Sequence, residues 1–155
     1  MLRHVLLLTT VLVSPACTDD GTGSTIDGSP DGRLNGNHQI VLTRRLASDG
    51  CADPEFNVGN AVATLEITDF TAKLPGAGWC GHRADGSVVE LAGSVNPQTG
   101  SFSLSCQSSS DVTSSSWSVG GTISAAGISG TASFLGTVRY DLRTVTCSAS
   151  FSVSG

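Results

Sequence analysis

The residues best able to do chemistry lie together in Trp79-Cys80-Gly81-His82-Arg83-Ala84-Asp85, which sets a thiol, an imidazole, a guanidinium and a carboxylate within a few positions. Cys80 and His82 have the atom types of zinc ligands. A protein zinc site, however, needs three or four such ligands, and no second Cys/His pair at matching spacing completes one. A disulfide at Cys80 beside a polar loop is the expected reading, with no metal and no cofactor. His38 and His82 are the only histidines past the leader, and no Gly-x-Ser-x-Gly elbow presents one of the many serines as a nucleophile. Glu66, Asp69 and Glu90 would act as a glycosidase pair only at separations of about 5 to 9 Å. Glu66 and Glu90 fall on the polar sides of their strands and read as surface charge. No residue is therefore assigned a catalytic role.

Arg45 near the first strand and Arg139 and Arg143 near the last would approach one another if the sheet closes. With His82 they form a candidate binding surface for an anion, although Asp141 between the latter two makes the patch mixed. Residues 108–116, serine-rich with Asp111, read as a long polar loop able to serve as a recognition tip.

These residues are held by a pattern written twice between residues 86 and 134. Val89, Leu91, Gly93 and Val95 share one parity, followed after Asn96-Pro97-Gln98-Thr99-Gly100 by Phe102, Leu104 and Cys106. In the second copy Trp117, Val119, Gly121 and Ile123 precede Ile128, Gly130, Ala132 and Phe134. Serine and threonine fill most of the other parity. A period of two gives each run one apolar and one hydroxyl face, as in half-buried antiparallel strands joined by hairpins. Residues 38–46 and 61–70 read as earlier strands, and residues 73–83 as irregular. A short strand is expected at Val138 and Tyr140. The apolar phase then slips near Arg143-Thr144, by a bulge or a turn, before Val145, Cys147, Ala149, Phe151 and Val153. The sum is an all-β antiparallel meander of about seven or eight strands, a closed barrel or a tightly coiled sandwich. Gly93, Gly121 and Gly130 on the apolar parity mark bends that favour closure.

The 155 residues leave room for one domain, expected at residues 38–155. Residues 1–16 read as a signal peptide: Arg3 and His4, an apolar run too short to cross a bilayer, then Ser14-Pro15-Ala16 before Cys17. Of five cysteines, setting Cys17 aside leaves Cys51, Cys80, Cys106 and Cys147, an even set suited to two disulfides in an exported chain. Folding the first hairpin returns Cys106 toward Cys80, which leaves Cys51 for Cys147. Residues 17–37, mostly Asp, Gly, Ser, Thr and Asn, read as a flexible leash about 25 Å in mean span. A net charge of −5 with a single lysine excludes a nucleic-acid footprint.

The Ala16-Cys17 junction resembles the cleavage box of bacterial lipoproteins, with Ser14 where the family prefers leucine. The signal, the cysteine, the leash and the Gly-punctuated strands together resemble small, disulfide-containing β domains of bacterial surface lipoproteins with unassigned activity. The resemblance implies lipidation at Cys17 and a lipid bilayer as partner, with Thr18 favouring the outer membrane and a periplasmic or surface-facing domain. A non-enzymatic binding or structural module acting on an envelope protein or glycan is the leading expectation. The alternative is a lipocalin-like barrel carrying a small apolar ligand, and a weak hydrolase comes third.

Overall fold

A computed structural model describes residues 34–76, 78–82 and 86–155. The expected signal peptide and lipidation site Cys17, together with the expected leash up to residue 33, lie outside the described residues, as do Ala77 and Arg83-Ala84-Asp85. Eight antiparallel strands follow one another around a closed barrel: β1 (Gly36–Ala47), β2 (Ala61–Thr68), β3 (Thr71–Leu74), β4 (Leu91–Val95), β5 (Ser101–Ser109), β6 (Thr113–Ser124), β7 (Gly127–Arg139) and β8 (Thr144–Ser154). Pairing of β8 with β1, Leu42 opposite Val153 and Arg44 opposite Phe151, closes the ring. The sandwich alternative is thereby excluded.

The two-residue alternation dictates what lies inside. Ile40, Leu42, Leu65, Leu74, Leu91, Leu104, Val119 and Phe151 are fully buried in the barrel interior, while the serines between them face out. An eight-stranded barrel is just wide enough for side chains to fill. Its polarity is opposite to that of a membrane-spanning barrel, whose outer band is apolar. Two glycines on the apolar parity stand where no side chain fits: a Cβ on Gly93 would overlap the Ser103 carbonyl, and one on Gly130 the Gly120 carbonyl.

Several elements depart from the alternation-based expectation. Asp69 and Phe70, expected within a strand, form a turn, with Asp69 at φ 56°, and Lys73 and Leu74, expected in irregular chain, belong to the strand β3. Residues 138 and 139 are the end of the long strand β7, and the phase slip is a turn, closed by Tyr140 N–H donating to Arg143 O at 2.7 Å. The bulge occurs instead in β1, between Arg44 and Leu46. The expected polar loop at 108–116 is mostly strand, because Ser108 pairs with Ser115 and Ser109 with Ser114.

Strand length makes the barrel lopsided. β5 to β8 contain 9, 12, 13 and 11 residues, whereas β3 and β4 contain 4 and 5. A tall wall thus faces a low one. At one rim the chain turns tightly, at residues 69–70, 96–100 and 125–126, and both Gly36 and Gly155 lie there. At the other rim two long connections, residues 48–60 and 75–90, fill the step above the low wall.

Candidate functional site

Both disulfides staple these long connections to the tall wall. Cys51 in the first is joined to Cys147 of β8, and Cys80 in the second to Cys106 of β5. These are the two pairings expected from folding the hairpin and closing the sheet. Cys51 reaches Cys147 because Gly50 lies flat against β8, where a Cβ would overlap the Thr146 carbonyl. An oxidised Cys80 has no thiolate to offer zinc.

Further bonds fix the first connection. The Asp53 carboxylate, its side chain only 6% exposed, accepts from Tyr140 Oη at 2.8 Å and lies 3.7 Å from the Arg143 guanidinium. Arg143 also stacks over the Tyr140 ring at 5.0 Å. The bond to Asp53, reinforced by desolvation and by the negative charges of Asp53 and Glu55, holds the Tyr140 phenol above its ordinary pKa of 10.0. On the opposite side of the same connection Arg44 donates from its backbone N–H to Asn60 Oδ1 at 2.8 Å and from Nη1 to Val58 O at 3.2 Å. In the second connection Gly78 (φ 57°) and Gly81 (φ 79°) adopt left-handed backbone on either side of Trp79-Cys80. A bridge between His82 and Val88 then returns the chain toward β4.

Between the two connections and the upper tall wall lies a cavity of about 630 Å³. Its floor is aromatic. Trp79 meets Trp117 edge-on at 5.1 Å, Trp117 touches Phe134 at 5.1 Å and Phe151 of the interior at 5.2 Å, and Phe56 meets Phe134 edge-on at 6.0 Å. Gly136 makes the Phe56–Phe134 contact possible: a Cβ there would sit 2.5 Å from Phe134 Cζ and 2.6 Å from Phe56 Cε1. The Trp79 indole Nε1 is buried without a hydrogen-bond acceptor.

Above the floor the inner face of the wall changes chemistry. The inward parity that carries Leu104 and Cys106 continues as Ser108, and the one that carries Val119 and Trp117 continues as Ser115 and Thr113. Asn57, Asn60, Ser109, Ser110, Ser114 and Thr137 add further polar groups to the lining. Glu55 and His82 are its only ionisable members among the described residues.

The four residues expected to form a binding surface all lie toward this rim, but the structure distributes them. Arg143 faces Asp53, and Arg139 ends β7 opposite Thr144. Arg45, at the β1 bulge, donates from Nε to Ser152 Oγ at 3.0 Å. At about 3.3 Å per residue its place beside Ser150 is roughly 20 Å along β8 from Thr144. His82 alone lines the cavity. Its exposed side chain has no serine or carboxylate partner among the described residues. A ring nitrogen of His38, at the opposite rim, lies 3.0 Å from Leu34 O, and Glu66 pairs with Lys73 at 3.2 Å.

Phe56, Asn57 and Gly136 were not singled out by the sequence pattern. The available signal was a lone ring in an otherwise polar connection, and hydroxyls where the inward parity should stay apolar. No family model, curated protein or solved structure matches the chain.

Proposed function

We propose that the protein is an exported, non-enzymatic binding module, held at a bacterial outer membrane by a lipid on Cys17 and acting through the rim of long connections. The observation that carries this reading is the polarity of the barrel. The chain enters β1 at the rim of tight turns, and the long connections, both disulfides and the aromatic cavity lie at the other. A tether on the entry side leaves the opposite rim free to meet a partner. Long connections in a compact domain are usually functional, and cross-linked ones lose little freedom on binding. Two disulfides suit an oxidising compartment. Val112 and Leu142, exposed at the tips of the β5–β6 and β7–β8 connections, offer apolar contact at the same rim.

The cavity favours capture of a small ligand or a short end of a larger one. It is at the barrel mouth, whereas the interior is filled by side chains, which counts against an enclosed lipocalin-like pocket. The test is site-specific photo-crosslinking in the envelope of a lipoprotein-processing host, with the reactive group at Ser110 or at Gln98 of the full chain. Adducts from Ser110 and none from Gln98 are expected. The reverse would sink the reading.

A further inference from the structure

We infer that the cavity at the long-connection rim is a saccharide site, selecting a neutral, ring-shaped, polyhydroxylated ligand. This rests on the reading of that rim as the binding end and names what it binds. Three features of the lining decide between ligand classes.

The floor is a continuous apolar surface of Phe56, Trp79, Trp117 and Phe134, which suits a ligand with at least one apolar face. The walls above it are hydroxyls and carboxamides. Ser108 and Ser115 spend no side-chain hydrogen bond on any described residue, and Asn57 joins them in the lining, as does Asn60, whose Oδ1 already accepts from Arg44 N–H. A wholly apolar ligand would strip water from these groups and return nothing, and each group left unpaired carries a desolvation penalty. A hydroxyl both donates and accepts, so ligand hydroxyls can replace the lost water bonds one for one. Among the described lining residues the ionisable groups are Glu55 and His82, so the described lining holds no cluster of cations.

A sugar ring combines the required surfaces, with a face of C–H groups to lie on aromatic rings and an equator of hydroxyls. The cavity of about 630 Å³ falls within the ordinary range for small-ligand sites. The Trp79 indole supplies a further recognition element. Its N–H, now buried without an acceptor, gains one if a small turn of the ring between Gly78 and Gly81 brings it to a ligand oxygen. Phe56 and Trp79 act as the platform, and Ser108, Ser115 and Asn57 as the groups that read hydroxyls.

Both tryptophans of the chain line the cavity, so their intrinsic fluorescence reports occupancy without a label. The oxidised full chain is titrated with chitobiose, maltose and cellobiose, and in parallel with N-phenyl-1-naphthylamine as a neutral apolar probe. At least one disaccharide should give a saturable change with a Kd below about 1 mM. The Ser108→Ala/Ser115→Ala double variant, whose fold is checked by circular dichroism, should weaken the disaccharide tenfold or more and bind the apolar probe at least as tightly as the parent chain. Binding of the apolar probe without any disaccharide would overturn the saccharide assignment while leaving a functional cavity. Silence from every probe would overturn the assignment and remove the cavity from the binding end as well.

Discussion

The two rims of the barrel are made from the same strands and differ in almost every other respect. The turn rim closes with minimal chain: Asn96 Oδ1 accepts from Gln98 N–H and Thr99 N–H, and Gly100 (φ 68°) completes the loop. It presents one exposed ring, Phe70. The long-connection rim carries two segments of over a dozen residues, two disulfides, the Asp53–Tyr140–Arg143 cluster and a chain of aromatic rings continuous with the interior. The turn rim closes with short links and holds a cavity of about 550 Å³ beside Phe70 and Asn96, while the extra chain and both cross-links are concentrated at the long-connection rim. Cost supports the same division, since ordering each backbone residue costs about 1–2 kcal/mol, and that expenditure is concentrated on one side.

The largest effect available is removal of the staples. In the chain-entropy account the bridge spanning 96 residues contributes roughly 4 to 5 kcal/mol and the one spanning 26 roughly 3 to 4. Replacing Cys51 and Cys147 by alanine should therefore lower the urea midpoint more than replacing Cys80 and Cys106. In both variants amide exchange should accelerate in residues 48–60 or 75–90 while residues 96–100 and 125–126 stay as they were. Equal acceleration at both rims would dissolve the contrast.

The smallest effect is the titration of Tyr140, the chain's one tyrosine. Its folded pKa is raised by the bond to Asp53. The phenol therefore contributes to stability below the ordinary value near 10, and that contribution is lost as pH climbs through the higher folded value. Phenolate absorbance should rise with a midpoint above 10, and Asp53→Asn should bring the midpoint down. An unchanged midpoint in that variant would separate the β7–β8 turn from the first long connection.

Much of the barrel was legible because alternation is a local property: Phe102, Leu104, Val119, Phe134 and Phe151 carry their facing in their spacing. Both cysteine pairings followed from hairpin geometry and closure. The strand β3 was hidden because four residues beside a tight turn give too little alternation to separate from Pro75 and Gly76 after them. The upper tall wall was hidden for the opposite reason. Ser108 and Ser115 point inward although they are polar, so their run reads as loop when polarity alone is taken to mean solvent. The cavity could not be read at all, because Phe56, Trp79 and Phe134 come from three separate segments that only the closed ring and the staples bring together.

The most direct test of the account is the map of amide chemical-shift changes when a disaccharide that alters tryptophan fluorescence is added to the oxidised protein. Changes centred on Phe56, Trp79, Ser108 and Gly136, with the turns at residues 96–100 and 125–126 silent, are the predicted result. Changes centred on those turns, or on the outward serines of β7 and β8, would contradict it.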